Sequence, residues 1–212
     1  RSGASLDAVG AACVAAVDVS PRDRILLAVP LHHSYGLEHG LLMPILAGAT
    51  VELLGPFDTR SFGAAMSEGR VTVVPGVPLM YEAMTTVGLG DHGEAWSAGS
   101  LRRAYSAGGV LPDAVAAGFR RRFGVRLGQV FGATEVGSVT WSEPDERYEE
   151  TPADAGRALP GVELRVLCRE SPDAVKPLPP GREGQVAVRS PWAMSGYVDG
   201  DAAAMRDGFF LT

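Results

Sequence analysis

Long hydrophobic runs, basic clusters and cysteines are all scarce in this sequence. Proline, glycine or a charged residue interrupts each apolar run well before the roughly 20 residues that a membrane-spanning helix needs. The N-terminal segment RSGAS also lacks the layout of a signal peptide. No membrane span is therefore predicted, and the expected location is cytoplasmic.

The charge balance is mildly acidic, with 19 Lys and Arg residues against 25 Asp and Glu residues and a formal net charge of -6. Such a chain offers no basic tract that would follow a nucleic acid backbone. The one arginine cluster, residues 120–122, falls in a predicted amphipathic helix, where a solvated helix face is the preferred interpretation. Nucleic acid is therefore not an expected partner.

The two cysteines, Cys13 and Cys168, lie far apart in the sequence. Neither is paired with a histidine at a spacing typical of metal sites. They are predicted to be buried free thiols, and no zinc site is expected.

Hydrophobic residues make up 46% of the chain and charged residues 21%, the balance of a globular protein with a core. Before residue 143, apolar runs typical of β-strands alternate with helical patterns. The strand-like runs are RILLAVP (24–30), ATVELLG (49–55), VTVVPG (71–76), LRRAYSAGG (101–109) and VRLGQVFGA (125–133). This alternation is typical of parallel strands joined by crossover helices.

The pattern changes after residue 143, where a charged and turn-rich stretch begins. It is followed by short β-type runs, VELRVLC (162–168) and EGQVAVRS (183–190), with little helical periodicity. The sequence thus predicts an α/β fold in two parts. Residues 1–143 form a parallel sheet with crossover helices, and residues 144–212 form part of a small antiparallel β subdomain.

The stretch GQVFGATEVG (128–137) lies at the carboxyl end of a predicted strand, where open α/β sheets bind ligands. It places a flat ring, a bare backbone position, a hydroxyl and a carboxylate within five residues. Thr134 could bind a phosphate that Glu135 would repel, and a Mg²⁺ ion between them removes this conflict. The stretch favours a nucleotide site with a metal, whereas in isolation it also fits a turn with an N-capping threonine.

Taken together with four further segments, this stretch resembles the adenylate-forming superfamily, the AMP-forming acyl-CoA synthetases and their relatives. The segments are PLHHSYG (30–36), GVPLMYEAM (76–84), SAGGVLP (106–112), VFGATE (130–135) and the run from GREGQ to DGFFLT (181–212). Several matches in the family's order are more specific than any single motif. The resemblance implies ATP-dependent activation of a carboxylic acid to an acyl-adenylate. Transfer to coenzyme A, or to the phosphopantetheine of an acyl carrier protein, would follow.

The resemblance also implies a nucleotide site in the α/β part. Its expected members are Gly108, Gly109, Val110, Gln129, Phe131, Gly132 and Thr134. Phe131 would stack on adenine opposite the wall formed by residues 108–110, with Gln129 near the exocyclic amine.

Three residues are expected to act in catalysis. By the same resemblance, Thr134 would hold the α-phosphate of ATP and Glu135 would bind Mg²⁺. His33 would form the gate between the carboxylate and the nucleotide. The implied cofactors are ATP, Mg²⁺ and a thiol acceptor, either coenzyme A or phosphopantetheine.

The expected substrate pocket consists of His33, Ser34, Val77, Met80, Tyr81, Gly132 and Ala133. Ser34 stands where amino-acid-activating relatives place an Asp, so an ammonium group would find no counter-charge there. Gly132 stands where acetate-specific relatives carry a Trp, so the substrate is expected to be larger than acetate. The apolar residues 77, 80 and 81 suit a fatty or aromatic acid, although all three also fit a plain core.

The chain also departs from the family pattern. It contains no Ser/Thr/Gly-rich phosphate loop, and it stops before the Asp that holds the ribose and before the C-terminal domain with its catalytic Lys. The chain is therefore expected to be an internal portion of a longer synthetase that is inactive by itself. A natural truncated relative is the alternative expectation. Gln185 also stands where the family usually has Glu.

Two alternative functions belong to other classes. HHSYG has the outline of a nucleophile elbow, which would make Ser34 the nucleophile of a serine hydrolase with His39 or His92 as base. The second alternative is a noncatalytic nucleotide-binding fragment or pseudoenzyme. The glycine pattern GLGDHG (88–93) follows a helical pattern rather than a strand, and a charged loop is the preferred interpretation.

Overall fold

A computed structural model describes residues 1–86, 99–142, 154–168, 177–198 and 205–212. Its larger sheet begins with five parallel strands. In chain order they are β1 (Arg24–Leu27), β2 (Thr50–Leu53), β3 (Val73–Gly76), β4 (Arg103–Ser106) and β5 (Leu127–Ala133). Two antiparallel strands, β6 (Gly137–Ser142) and β7 (Arg157–Ala158), complete the order β2-β1-β3-β4-β5-β6-β7. The predicted parallel sheet is confirmed.

Helices connect the parallel strands in the predicted alternation. α1 (Gly3–Val17) precedes β1, and a longer helical stretch connects β1 to β2. That stretch consists of α2 (Ser34–Leu37), a π-helical segment (Glu38–Leu42) and α3 (Met43–Ala47). The remaining crossovers are α4 (Thr59–Ser67), α5 (Pro78–Thr86) and α6 (Asp113–Phe123), which precede β3, β4 and β5. None of the helices described is long and apolar enough to cross a membrane.

The smaller sheet is antiparallel throughout, as predicted. Its strands are β8 (Glu163–Leu167), β9 (Gln185–Arg189), β10 (Met205–Arg206) and β11 (Phe209–Leu211), in the order β10-β11-β9-β8. Because β7 still pairs with β6, the change of sheet falls between Ala158 and Glu163. The predicted boundary between residues 143 and 144 lies outside the described residues, as do all of residues 143–153.

The start of α2 packs against the end of the β1 segment with no space for a side chain at Gly36. A Cβ atom at this position would lie 2.1 Å from the carbonyl oxygen of Pro30. The glycine in the PLHHSYG segment is therefore explained by close backbone packing. This contact fixes where α2 starts relative to the carboxyl end of β1.

Large aromatic side chains fill the core between the parallel strands and their helices. Tyr81, Tyr105, Phe62 and Phe119 are all fully buried. Cys13 is buried in the same core as a free thiol, as predicted, whereas Cys168 is free but only partly buried.

Candidate functional site

A cavity of about 600 Å³ opens at the carboxyl ends of β4 and β5. Its walls come from the start of α2, the segment after β4 and the turn between β5 and β6. It brings together these residues predicted from the sequence: His33, Ser34, Gly108, Gly109, Val110, Gln129, Phe131, Gly132, Ala133, Thr134 and Glu135. Segments distant in sequence therefore meet at the sheet edge where a parallel α/β fold binds ligands.

The β5–β6 pairing shifts its register between Phe131 and Gly132. A Cβ atom on Gly132 would lie 2.4 Å from the carbonyl oxygen of Gly137, across the hairpin. The two backbones approach so closely that only glycine fits without movement. Phe131 before the irregularity and Thr134 after it both line the cavity.

Polar side chains from two segments meet at the mouth of the cavity. The Ser34 and Thr134 hydroxyl oxygens lie 3.4 Å apart, although 100 residues separate them in the sequence. His33 is exposed, and its Nδ1 accepts a hydrogen bond from the Tyr35 backbone N–H at 3.2 Å. This bond caps α2 and fixes one ring nitrogen of His33 as an acceptor.

Glu135 is held by two hydrogen bonds from the segment that follows β9. Its carboxylate Oε1 accepts from the Tyr197 hydroxyl at 2.8 Å, and its backbone carbonyl accepts from the Met194 N–H at 2.6 Å. Within the described residues, Oε2 accepts no hydrogen bond. A half-buried carboxylate beside a hydroxyl in an open cavity fits Mg²⁺, which binds one or two protein carboxylates together with substrate phosphates.

The opposite wall consists of Gly108, Gly109 and Val110, all exposed, with Val110 retaining 85% of its accessible surface. Phe131 is half-buried and presents a ring to the same cavity. Gln129 is buried, and its side-chain amide donates to the Asp154 carbonyl at 3.2 Å. An exposed apolar segment and an aromatic ring that line one cavity are the kind of surfaces that a flat ligand group packs against.

Three residues expected in the substrate pocket do not line this cavity. Tyr81 is fully buried, and its hydroxyl donates to the carbonyls of Val74 and Tyr105 at 2.9 and 2.8 Å. Met80 is also buried in the core, and Val77 packs against it. The α5 face that carries Tyr81 and Met80 is directed into the core, where Tyr81 contacts the ring of Phe119.

Glu38 and Ser138 line the cavity, although neither was singled out from the sequence. Glu38 is only 1% exposed, and its Oε1 accepts from the Arg1 guanidinium at 2.6 Å. Its Oε2 accepts from the backbone N–H and the hydroxyl of Ser138 at 2.9 and 2.7 Å. The adjacent polar residues Glu38 and His39 within the mostly apolar run GLEHGLL were the sequence signal that could have indicated a buried polar contact.

A buried polar network lies behind this part of the cavity. His39 directs Nδ1 to the Tyr105 hydroxyl at 3.0 Å and Nε2 to the Ser138 hydroxyl at 3.1 Å. Burial lowers the pKa of His39 to about 3, and burial also raises the pKa of the Cys13 thiol, so both groups are neutral. The ligand-type atoms of Cys13, Glu38 and His39 lie within 4.8 Å of one another. Ser138 and Tyr105 already satisfy the hydrogen bonds of His39.

The geometry does not support the hydrolase alternative within the described residues. The ring nitrogens of His39 bind Tyr105 and Ser138, and Ser34 instead faces Thr134. The second candidate base, His92, lies outside the described residues, as does the whole GLGDHG segment.

Comparison with curated proteins finds relatives that act as ligases. The chain is 30% identical over 198 residues to indoleacetate–CoA ligase of Aromatoleum aromaticum, covering 92% of this chain and 37% of the relative. It is 31% identical over 189 residues to medium-chain fatty-acid–CoA ligase of Escherichia coli, with shares of 87% and 31%. Feruloyl-CoA synthase of an Amycolatopsis species is also 31% identical, with shares of 91% and 38%. The chain thus spans between about 31% and 38% of the length of these relatives.

Solved structures agree with the topology of the two sheets. Apo MatB from Rhodopseudomonas palustris superposes with a TM-score of 0.85 at 25% identity, over 98% of this chain and 40% of that one. The ATP-bound form of the same protein gives the same values. The sequence of this chain matches the family of AMP-binding enzymes over residues 4–198. Fold, ordered motifs and relatives agree, and the chain belongs to the AMP-binding, adenylate-forming enzyme family.

Proposed function

We propose that this chain carries the adenine, α-phosphate and acid-binding parts of an enzyme that activates a carboxylic acid with ATP. The observation that carries this proposal is the single cavity in which the Thr134–Glu135 turn, the Phe131 ring and the residue 108–110 wall meet. A solved structure of similar fold, MatB from Rhodopseudomonas palustris, is ATP-bound, which supports nucleotide binding by this chain.

In the proposed complex the adenine ring lies between Phe131 and the backbone of Gly108 and Gly109. A flat apolar slot with exposed walls matches the shape of a purine. The Gln129 amide lies close to that slot for hydrogen bonding to the base. The Thr134 hydroxyl, on the β5–β6 turn that lines the same cavity, would donate to the α-phosphate.

The reaction joins a carboxylate oxygen to the α-phosphorus of ATP as the bond to pyrophosphate breaks. Because both reactants are anions, the site has to supply positive charge and hydrogen-bond donors before they approach. Glu135 would hold Mg²⁺, which neutralises phosphate charge when bound. The chain itself contributes the Thr134 donor and orientation of the two substrates, with His33 at the mouth of the cavity.

The proposed substrate is a fatty or aromatic acid larger than acetate. Ser34 offers no charge to pair with an ammonium group, which disfavours amino acids. His33, Ser34, Glu38 and Ser138 also line the cavity, and the proposal puts the acyl group against this part of its lining. The relatives are named for ligation of indoleacetate, ferulate and medium-chain fatty acids, all of which are larger than acetate. Their names support this proposal.

The proposed acyl acceptor is the thiol of coenzyme A, as in the names of the curated relatives. The phosphopantetheine of an acyl carrier protein presents the same thiol chemistry and is the second acceptor to test. Both would receive the acyl group from the adenylate with release of AMP.

Calorimetric titration of the chain with AMP tests the nucleotide site. We expect saturable binding that Phe131→Ala weakens about tenfold or more, because base–aromatic stacking contributes ~1–3 kcal/mol. Val198→Ala is the control, since Val198 is fully exposed and does not line the cavity. Absence of AMP binding, or equal binding by both variants, would contradict the proposed site.

The acid is identified by ATP–pyrophosphate exchange with indoleacetate, ferulate, octanoate and acetate, measured on the longer synthetase of which this chain is expected to be an internal portion. Exchange with one of the three larger acids and little with acetate is the expected pattern. Exchange with amino acids alone would contradict the substrate argument. AMP binding by this chain without any exchange by the longer enzyme would favour the noncatalytic alternative.

A further inference from the structure

The segment after β9 makes three hydrogen bonds to the β5–β6 hairpin, two to Glu135 in the turn and one to Ser138 in β6. The Met194 N–H donates to the Glu135 carbonyl at 2.6 Å, and the Tyr197 hydroxyl donates to Glu135 Oε1 at 2.8 Å. The Trp192 indole N–H donates to the Ser138 carbonyl at 3.0 Å. Residues 192–197, which we call the clasp, therefore hold the turn that carries the predicted metal ligand.

The contact to the Glu135 side chain does not come from core packing. Tyr197 retains 43% of its accessible surface, so little burial energy accounts for its position. A glutamate side chain has three rotatable bonds, and an unrestrained carboxylate would sample several orientations in the cavity. The Tyr197 hydrogen bond restricts one oxygen and leaves Oε2 without a hydrogen bond from the described residues.

This arrangement matches the way that outer groups orient metal ligands. A ligating carboxylate is commonly hydrogen-bonded through the oxygen that does not contact the ion, which fixes the direction of the other oxygen. A phenol hydroxyl suits this purpose because it donates a hydrogen bond to the carboxylate without adding charge. The Tyr197 contact also connects Glu135 to the segment that follows β9 of the smaller sheet.

We infer that Tyr197 is a positioning residue that orients the Glu135 carboxylate for a divalent cation bound with the nucleotide. The inference rests on the proposed function, because it takes Glu135 as the metal ligand. According to this inference, the affinity for the cation depends on the clasp. The affinity for nucleotide without metal does not depend on the clasp.

The test is titration of Mn²⁺ into the chain with saturating ATP, followed by electron paramagnetic resonance of free Mn²⁺. Tyr197→Phe removes only the hydroxyl, and Val198→Ala is the matched control in the neighbouring position. Glu135→Gln is the reference for loss of the ligand itself. We expect Tyr197→Phe to raise the Mn²⁺ dissociation constant about tenfold, and Val198→Ala to leave it unchanged. Glu135→Gln should raise it more.

A second measurement separates positioning from a general structural role. The affinity of each variant for ATP in EDTA is measured alongside its thermal unfolding midpoint. Unchanged metal-free ATP binding by Tyr197→Phe, together with weaker Mn²⁺ binding, supports the inference. Equal weakening of both would make Tyr197 a structural residue and overturn it.

The reference variant distinguishes the inference from the proposed function. Weak Mn²⁺ binding in Glu135→Gln with unchanged binding in Tyr197→Phe overturns only the role of Tyr197. Unchanged Mn²⁺ binding in Glu135→Gln, or no Mn²⁺ binding by the unaltered chain, overturns the metal role of Glu135 and the inference with it.

Discussion

At the scale of single residues, Gly132 occupies a position in β5 where a side chain has no room. Its absent Cβ would meet backbone atoms of Gly137 and Ser138 rather than a movable side chain. A tryptophan here, as in acetate-specific relatives, would therefore require a different path of the β5–β6 hairpin. The open space in the pocket at residue 132 therefore depends on the path of the backbone as well as on the missing side chain.

Gly132→Ala is therefore expected to destabilise the fold by about 1–3 kcal/mol, the usual cost of forcing extra atoms into a packed site. Urea unfolding measured by tryptophan fluorescence gives this difference. Gly55→Ala serves as the control, because a Cβ at Gly55 meets no atom within 4 Å. Equal stability of the two variants would mean that the hairpin relaxes freely around residue 132.

His39 makes stability depend on pH in a defined direction. Burial holds the folded-state pKa of His39 at about 3, below its ordinary value near 6.5. The unfolded chain thus binds a proton that the folded chain does not, and stability falls as pH drops below about 6.5 towards 3. Above that window His39 contributes no pH dependence.

Between pH 7 and pH 5 the unaltered chain should lose about 2 kcal/mol more stability than a His39→Gln variant. The glutamine cannot be protonated, so subtracting the two unfolding curves removes the contributions of the other titrating groups. Urea unfolding at both pH values provides the measurement. Parallel losses in the two chains would mean that the imidazole is protonated inside the fold.

At the scale of elements, one carboxylate connects the starts of three parallel strands. Asp23, directly before β1, accepts hydrogen bonds from Thr72 before β3 and from Arg102 before β4. Burial raises the pKa of Asp23, but hydrogen bonds from Arg102, Ser20 and Thr72 outweigh it and hold this pKa well below its ordinary range. Asp23 stabilises the fold above its unfolded pKa, and this contribution is lost as pH falls towards acid.

Asp23→Asn is expected to destabilise the fold by about 2 kcal/mol, because Arg102 keeps its charge and loses a buried partner. The value is below that for a fully buried pair, since Arg102 is 35% exposed. Urea unfolding at pH 7 tests it. Asp7→Asn makes the same chemical change on the exposed side of α1 and should leave the free energy of unfolding unchanged. A similar loss of stability in Asp7→Asn would indicate an effect of net charge.

At the scale of the whole molecule, the site draws on both parts of the chain. The larger sheet supplies the β5–β6 turn and the residue 108–110 wall, while the clasp that follows β9 supplies the contacts to Glu135. The core of the larger sheet also reaches the clasp, because Trp192 is only 3% exposed and belongs to that core. Residues from both sheets and from the segment after β9 thus meet around Glu135.

The fold was accessible from the sequence because its signals are local. Each parallel strand is a short apolar run, and each crossover is a helical pattern next to it. The antiparallel pairing of β6 with β5, and of β7 with β6, was not predicted. An antiparallel strand at a sheet edge has no sequence pattern that distinguishes it from other short apolar runs. The site was accessible through ordered motifs, and the cavity contains the nucleotide residues expected from them.

The sequence by itself determined the alternation of strands and helices in the α/β part, the motif at residues 130–135 and the resemblance to adenylate-forming enzymes. Only the tertiary structure decided that Met80 and Tyr81 face the core, that Glu38 meets Ser138 and that Tyr197 meets Glu135. These contacts join residues as many as 100 positions apart. Periodicity records which face of an element is apolar, whereas the partner of a polar side chain depends on how the elements pack in space.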